Sequence, residues 1–415
     1  LQKHVAQKKM PKNGRAMMIE PGGHQPCPRS IAFCLSIMLF CSVLLTGCWD
    51  RREVNDIGFV IAMSIDKEGD GKYRLAVQVP LVSSLGGPSG EGGGTSGDKS
   101  FYVDSAVGKT IREAYGILQS RMSRLLYFAH YRVVILGEEL ARNGLSNPLD
   151  IVTRFPEHRL TSFVVITKGK GMDLLSAQPQ FERFSGEALR ELVKSVTIPV
   201  SMKDLAQMAN HKGLDPFLPV FEPVQSHPKG KSKEVEAMGV AVFRKDKLIK
   251  ILSRSDSVGL RWFQRYFNPF SMIVKLNSNE WINTEVLRGE TKIRPVIKQG
   301  RVHYDIHLKS SIVITENMTT LNFDNENSID LMEKRVSEEI ENKIKIILEH
   351  SKATKSDPIG LGMVLARHHP KTWKTTYRDK WRDELPDITY TIHSKVQATN
   401  IGQTTNNIMK EDPRE

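Results

Sequence analysis

The run Ile57-Gly58-Phe59-Val60-Ile61-Ala62-Met63-Ser64-Ile65-Asp66 leads through Lys67-Glu68-Gly69-Asp70-Gly71-Lys72 into Tyr73-Arg74-Leu75-Ala76-Val77-Gln78-Val79-Pro80. Apolar residues recur there at every second position: Phe59, Ile61, Met63 and Ile65 before the turn, Tyr73, Leu75, Val77 and Val79 after it. Successive side chains of a strand point to opposite faces, so two such runs around a Gly/Asp loop predict a β-hairpin.

Working outward, strands are expected at 101–103, 131–136 and 162–167. Helical patterns fall at 110–123, 138–143 (closed by Gly144), 147–154, 172–175 and 186–196. No strict βαβ repeat emerges, which argues for an α+β arrangement over a doubly wound sheet. Residues 214–234 carry Pro216, Pro219, Pro223 and Pro228, followed by Lys229-Gly230-Lys231-Ser232-Lys233, and mark a domain boundary. Beyond it, 237–243 and 248–252 form a hairpin, and 257–266 a short helix. A longer hairpin, 292–297 with 302–314, turns at Gln299-Gly300. In it Val302, Tyr304, Ile306 and Leu308 share one face, and His303, Asp305, His307 and Lys309 the other. The strongest helix is 329–352, with Val336, Ile340, Ile344, Ile347 and Leu348 as an apolar stripe facing a core. Two more helical segments (360–365 and 371–384) and a last strand (388–399) precede a polar tail.

Upstream lies Ile31-Ala32-Phe33-Cys34-Leu35-Ser36-Ile37-Met38-Leu39-Phe40-Cys41-Ser42-Val43-Leu44-Leu45, an uncharged apolar run that ends in Thr46-Gly47-Cys48. It is short for a spanning helix, which needs roughly 20 apolar residues. It suits the h-region of an export signal, with Thr46 and Gly47 as the small residues before a cut. A cysteine at that place resembles a bacterial lipobox, which makes Cys48 the first mature residue and the membrane anchor: S-diacylglyceryl on the thiol, with the freed amine open to acylation. Residues 1–30 read as an extended n-region.

All four cysteines (Cys27, Cys34, Cys41 and Cys48) lie within the first 48 residues. The body beyond Cys48 therefore holds no disulfide, thiolate metal site or catalytic thiol. The net charge is +12. Residues 1–47 hold six bases (Lys3, Lys8, Lys9, Lys12, Arg15, Arg29) and one acid, Glu20, so residues 48–415 keep a net +7. That surplus suits either an anionic membrane surface or a solvated basic exterior. Nucleic acid is not expected as a partner of an exported body.

No HExxH, GxSxG, Walker or Cys/His metal pattern occurs. The glycine-rich stretch 86–97 lacks the Lys-Ser/Thr of a phosphate loop and reads as flexible coil. His368-His369 point about 100° apart on a helix, a poor chelate. The His303/Asp305/His307 face reads as a polar face or as weak ligands. Glu138-Glu139 and Glu338-Glu339 read as solvated helix faces. Trp373 and Trp381 pack a short helix or bind a carbohydrate or membrane, packing being the simpler account. No catalytic residue, cofactor or metal is expected, and the chain is read as no enzyme.

From Cys48, the run CWDRREVNDIGFVIAMSID resembles the N-terminal signature of the Ger(x)C family of spore germination lipoproteins. The glycine-rich stretch fits that family, as do KTIREAYGILQSRMSRLLYFAHYRVVILGEELARNGL (109–145), EAMGVAVFRKDKLIKIL (236–252) and DPIGLGMVLARHHPKTWKTTYRDKW (357–381). The resemblance implies the C subunit of a nutrient germinant receptor, lipidated at Cys48 on the outer face of the spore inner membrane. Two integral-membrane receptor subunits would be its partners. The expected layout is a signal peptide (1–47), an N-terminal germination-protein domain (48–225), a C-terminal one (226–402) and a polar tail (403–415). The fold class is α+β, with two or three mixed domains, largely antiparallel sheets and one long helix in the C-terminal domain. The alternative reading is a lipid-anchored solute-binding protein serving a transporter, which would need two similar lobes around a cleft.

Overall fold

The structure is a computed structural model that describes residues 53–81, 100–154, 159–226 and 232–405, with residues 32, 33, 35–38 and 40 further upstream. Cys48, the glycine-rich stretch 86–97, residues 227–231 and the tail from 406 lie outside the described residues. The chain divides into Leu1–Glu53 and Val54–Glu415. In the first unit, residues 32, 33, 35–38 and 40 are helical and exposed. Among the described residues no helix is long and apolar enough to cross a membrane.

The second unit is built around two sheets. In chain order its elements begin with β1 (Ile57–Phe59), β2 (Ala62–Glu68), β3 (Lys72–Pro80), β4 (Phe101–Gly108), α1 (Ile111–Gln119), β5 (Leu125–Tyr127) and β6 (Val133–Gly137). Then come α2 (Glu138–Asn143), α3 (Ser146–Arg154), β7 (Phe163–Thr167), α4 (Gly171–Leu175), α5 (Ser185–Val196), α6 (Met202–Asn210) and β8 (Phe217–Gln225). The remainder is β9 (Lys233–Arg244), β10 (Lys247–Ser253), α7 (Arg254–Arg261), β11 (Phe270–Asn277), β12 (Glu280–Lys298), β13 (Arg301–Asn317), α8 (Glu326–Thr354), α9 (Leu361–His368) and β14 (Thr389–Asn400).

The first sheet has eight strands in the order β10-β9-β8-β7-β6-β2-β3-β4. The expected hairpin lies toward one side of it: β2 and β3 pair antiparallel from Ala62↔Gln78 to Glu68↔Lys72. Parallel pairs β2-β6, β6-β7 and β7-β8 lie at the centre, with antiparallel ladders on both sides. Parallel strands need cover on both faces, and β6 meets that demand with five buried residues in a row. Residues 57–59 leave the hairpin and pair parallel with β5.

Two features escape the sequence pattern. The proline-rich 217–225 is a strand, and with β9 and β10 it extends the first sheet to Ser253. The hairpin at 233–253, read from sequence as the opening of the second half, thus completes the first. The β7-β8 ladder is only two pairs long, Ile166↔Val220 and Thr167↔Phe221, so the missing N–H groups of Pro219 and Pro223 lie outside it. The long β12 shifts register between Asn283 and Thr284 and again between Val286 and Arg288. The first shift skips Thr315 of β13 and leaves β12 in step, with Ile282, Thr284 and Val286 all buried; the second skips Leu287 of β12 and moves the alternation to the other face, which hides the full strand from a period-two reading.

The second sheet runs β11-β12-β13-β14, with β13 and β14 parallel. The long helix α8 packs on β14 and β11, and on α7 at its side. Its stripe Val336, Ile340, Ile344, Ile347 and Leu348 is fully buried, as is the sheet's inner face at Val302, Tyr304, Ile306 and Leu308. Gly259 of α7 lies so close to α8 that a Cβ there would run into Lys343 O. The fold class is therefore mixed α and β, with its long helix in the C-terminal part.

Candidate functional site

The densest buried polar assembly forms where the chain leaves α8. Lys355 takes a left-handed conformation (φ 53°) and turns the chain into Ser356-Asp357-Pro358. Asp357 is fully buried. Its Oδ1 accepts from the N–H of Gly360 at 2.7 Å and Leu361 at 3.0 Å. Its Oδ2 accepts from Gly362 N–H at 2.8 Å and from Trp381 Nε1–H at 2.9 Å. The carboxylate thus holds the first turn of α9, whose N–H groups have no partner within the helix. Burial pushes the Asp357 carboxyl up to about 6, and the N–H donors restrain the rise.

Asp215, at the entry to β8, completes the assembly. Its Oδ2 accepts Asp357 N–H at 3.0 Å, and its own N–H donates to Asp357 O at 2.8 Å. Its Oδ1 accepts Lys245 N–H from the β9–β10 turn at 2.9 Å and Arg382 Nη2 at 2.6 Å. Ser356 Oγ donates to Phe243 O, and Tyr304 Oη to Leu361 O. Burial drives the Tyr304 phenol far upward, so it stays a donor. Five stretches distant in sequence meet here. Both carboxylates spend their acceptor capacity on fixed donors, which suits joining the two sheets and leaves neither free as a general base.

A second assembly lies on the first sheet. Asp66 accepts from the N–H of Gly171 at 2.6 Å and Met172 at 3.2 Å, holding the start of α4 against β2. Burial raises its carboxyl above the usual range. Gln78 donates to Leu175 O and Ser185 Oγ and accepts from Gly186 N–H, tying α4 and α5 to β3.

Each sequence candidate among the described residues has a place. His368 meets Val364 O, whereas His369 meets Pro295 O, so the two rings serve separate contacts. Trp373 and Trp381 pack edge to face at 5.6 Å, both buried. Glu138 pairs with Arg142, Glu338 with Arg335, and Glu339 with Lys343 along their own helices. His303 is held by the hydroxyls of Thr389 and Thr391. Asp305 and His307 are joined on the outer face of the second sheet by His393, which the sequence reading missed. The parallel register His307↔His393 supplies it, and no local pattern records that pairing. The neighbouring His307 holds the Asp305 carboxyl below its ordinary range.

Comparison with known proteins defines the class. Residues 50–223 match the profile described as spore germination protein N-terminal domain. Residues 238–402 match that described as spore germination B3/GerAC like, C-terminal. The chain belongs to this family of spore germination proteins. Among its relatives is the putative spore germination protein YfkR of Bacillus subtilis, 33% identical over 375 residues, which span 87% of this chain and 96% of the relative. Spore germination protein KC of the same species is 27% identical over 396 residues, 90% of this chain and 96% of the relative. The crystal structure of the GerBC protein superposes with a TM-score of 0.54 at 18% identity, covering 81% of this chain and 97% of that one, and shares the fold.

Proposed function

We propose that this chain is the lipid-anchored, non-catalytic C subunit of a nutrient germinant receptor. Its body stands on the outer face of the spore inner membrane beside two integral-membrane subunits. The observation that carries the reading is the position of Cys48. It closes Leu45-Thr46-Gly47-Cys48 two residues before the family match begins at residue 50. An anchor in that position joins the folded domain directly. Two acyl chains on one residue hold stably where a single chain holds marginally, since each buried CH₂ contributes about 0.8 kcal/mol.

The non-catalytic role draws support from Asp357 and Asp215, whose acceptor capacity is spent inside the fold. The solute-binding alternative draws none from the architecture, because an eight-stranded mixed sheet and a four-stranded sheet are not two similar lobes.

The test is deletion of the gene in the spore former that carries it, with complementation. Deletion should abolish germination by particular nutrients and spare germination by non-nutrient triggers. The wild-type gene should restore the response, and Cys48→Ala should not. Unchanged response to every nutrient in the deletion strain would overturn the proposal.

A further inference from the structure

We infer that Asp305, His307 and His393 form a binding site for one divalent transition-metal ion of the zinc type, on the outer face of the second sheet.

The argument starts from strand geometry. Residues two apart on a strand share a face, which places Asp305 beside His307 on β13. Parallel pairing sets His393 of β14 directly opposite His307. His307 Nε2 lies 3.0 Å from Asp305 Oδ2, and His393 Nε2 lies 3.6 Å from Asp305 Oδ1. The two rings stack at 4.9 Å with 21° between their planes. One ligand atom from each of the three residues lies within 4.8 Å of the others. A tetrahedral zinc ion with bonds of about 2.0–2.1 Å holds its ligand atoms roughly 3.3 Å apart. Small side-chain rotations close that difference, while the paired strands hold the backbone.

A second observation concerns Asp305 itself. Its Oδ1 is shut off from solvent and accepts no hydrogen bond among the described residues. His393 Nε2 faces it from 3.6 Å, beyond hydrogen-bond reach, and the Asp305 side chain is 36% exposed as a whole, so a bound cation would give this one oxygen a close partner.

The surroundings choose among cations. The register sets Arg294 of β12 opposite Asp305 and Lys292 opposite His307, with Lys309 and Lys395 next along β13 and β14. Lys292 is partly balanced by Glu290 at 3.2 Å. These bases weaken binding of any divalent cation, so the choice falls to the donor set: a single carboxylate does not satisfy a hard cation such as Ca²⁺ or Mg²⁺, which needs many oxygen ligands. Two imidazoles and one carboxylate are a set that binds zinc and its neighbours through strong nitrogen bonds. His303, already held by two threonine hydroxyls, is not counted among the ligands. Three protein ligands leave one position for water or for a group from another molecule.

The test is titration of the purified full-length chain with Zn²⁺ by calorimetry, and with Co²⁺ by visible absorption. Wild type is compared with His393→Ala and Asp305→Asn, each checked for native circular dichroism. Cysteine and histidine elsewhere contribute equally to all three, so the difference isolates the site. Each variant should lose one equivalent of metal and the matching part of the cobalt spectrum. In wild type, Zn²⁺ should shift the imidazole NMR signals of His307 and His393 together. Equal stoichiometry in all three proteins, or imidazole signals indifferent to Zn²⁺, would overturn the inference.

Discussion

Asp215 and Asp357 hold one another through two hydrogen bonds, one between main chains and one from main chain to side chain. The N–H of Asp215 donates to Asp357 O at 2.8 Å, and the N–H of Asp357 donates to Asp215 Oδ2 at 3.0 Å. They stand 142 positions apart, one leading into the first sheet and the other following the helix that backs the second. Locking them together fixes one sheet against the other, and the first predictions test this lock.

Asp357→Asn places an amide NH₂ where only donors point. At least one of the four N–H groups that the carboxylate accepts loses its acceptor. A buried unsatisfied donor costs about 1–3 kcal/mol, so the variant should lose about 2–5 kcal/mol in chemical denaturation. A loss under about 1 kcal/mol would mean the lock contributes little.

The same carboxyl sets a pH dependence. Its folded value is about 6, above the ordinary 3.8. The folded state therefore binds the proton more tightly than the unfolded state. The resulting stability is fully present below about 3.8 and is lost as pH rises through about 6. Between pH 4 and 7 this group should lower the stability of the wild type by about 2 kcal/mol. Denaturation series across that range should show a correspondingly smaller decline for Asp357→Asn; parallel profiles would contradict the assignment.

Gly362→Ala tests the packing behind the lock. A Cβ there would come within 2.5 Å of Gly213 Cα and 2.7 Å of Trp381 Nε1, the group that donates to Asp357. The obstacle is backbone, so relief requires α9 to move. Overpacking of this kind costs about 1–3 kcal/mol, and a thermal unfolding curve matching wild type would show that the contact yields freely.

Much of this fold is legible in the sequence, for a local reason. The β2–β3 hairpin, the central β6 and β7, and the α8 stripe announce themselves by their own periods. The strand at 217–225 does not, because Pro219 and Pro223 signal a break that only the short β7 ladder makes harmless. The full length of β12 is hidden by the bulge at Leu287, which changes the face of its alternation part-way along. The lock and the His307–His393 pairing depend on residues distant in sequence, and no window along the chain contains both partners. In hindsight Asp357-Pro358-Ile359-Gly360 carried a signal: an acidic residue just ahead of an apolar helical run is a candidate helix cap.

Gln78→Leu should act locally. Gln78 is fully buried, and its loss leaves Gly186 N–H without its acceptor. A cost of about 2–4 kcal/mol is expected. Hydrogen exchange should speed up across 171–196 and stay unchanged in the second sheet. Uniform acceleration over the whole chain would show that Gln78 supports more than α4 and α5.

The measurement that bears most directly on the proposed anchoring is mass spectrometry of the N-terminal peptide, from protein extracted out of spore membranes. The account predicts a chain that begins at Cys48 and carries a diacylglyceryl group on its thiol. Cys48→Ala should leave the signal uncut and unmodified. A wild-type chain that begins at another residue, or a Cys48 without the lipid, would contradict it.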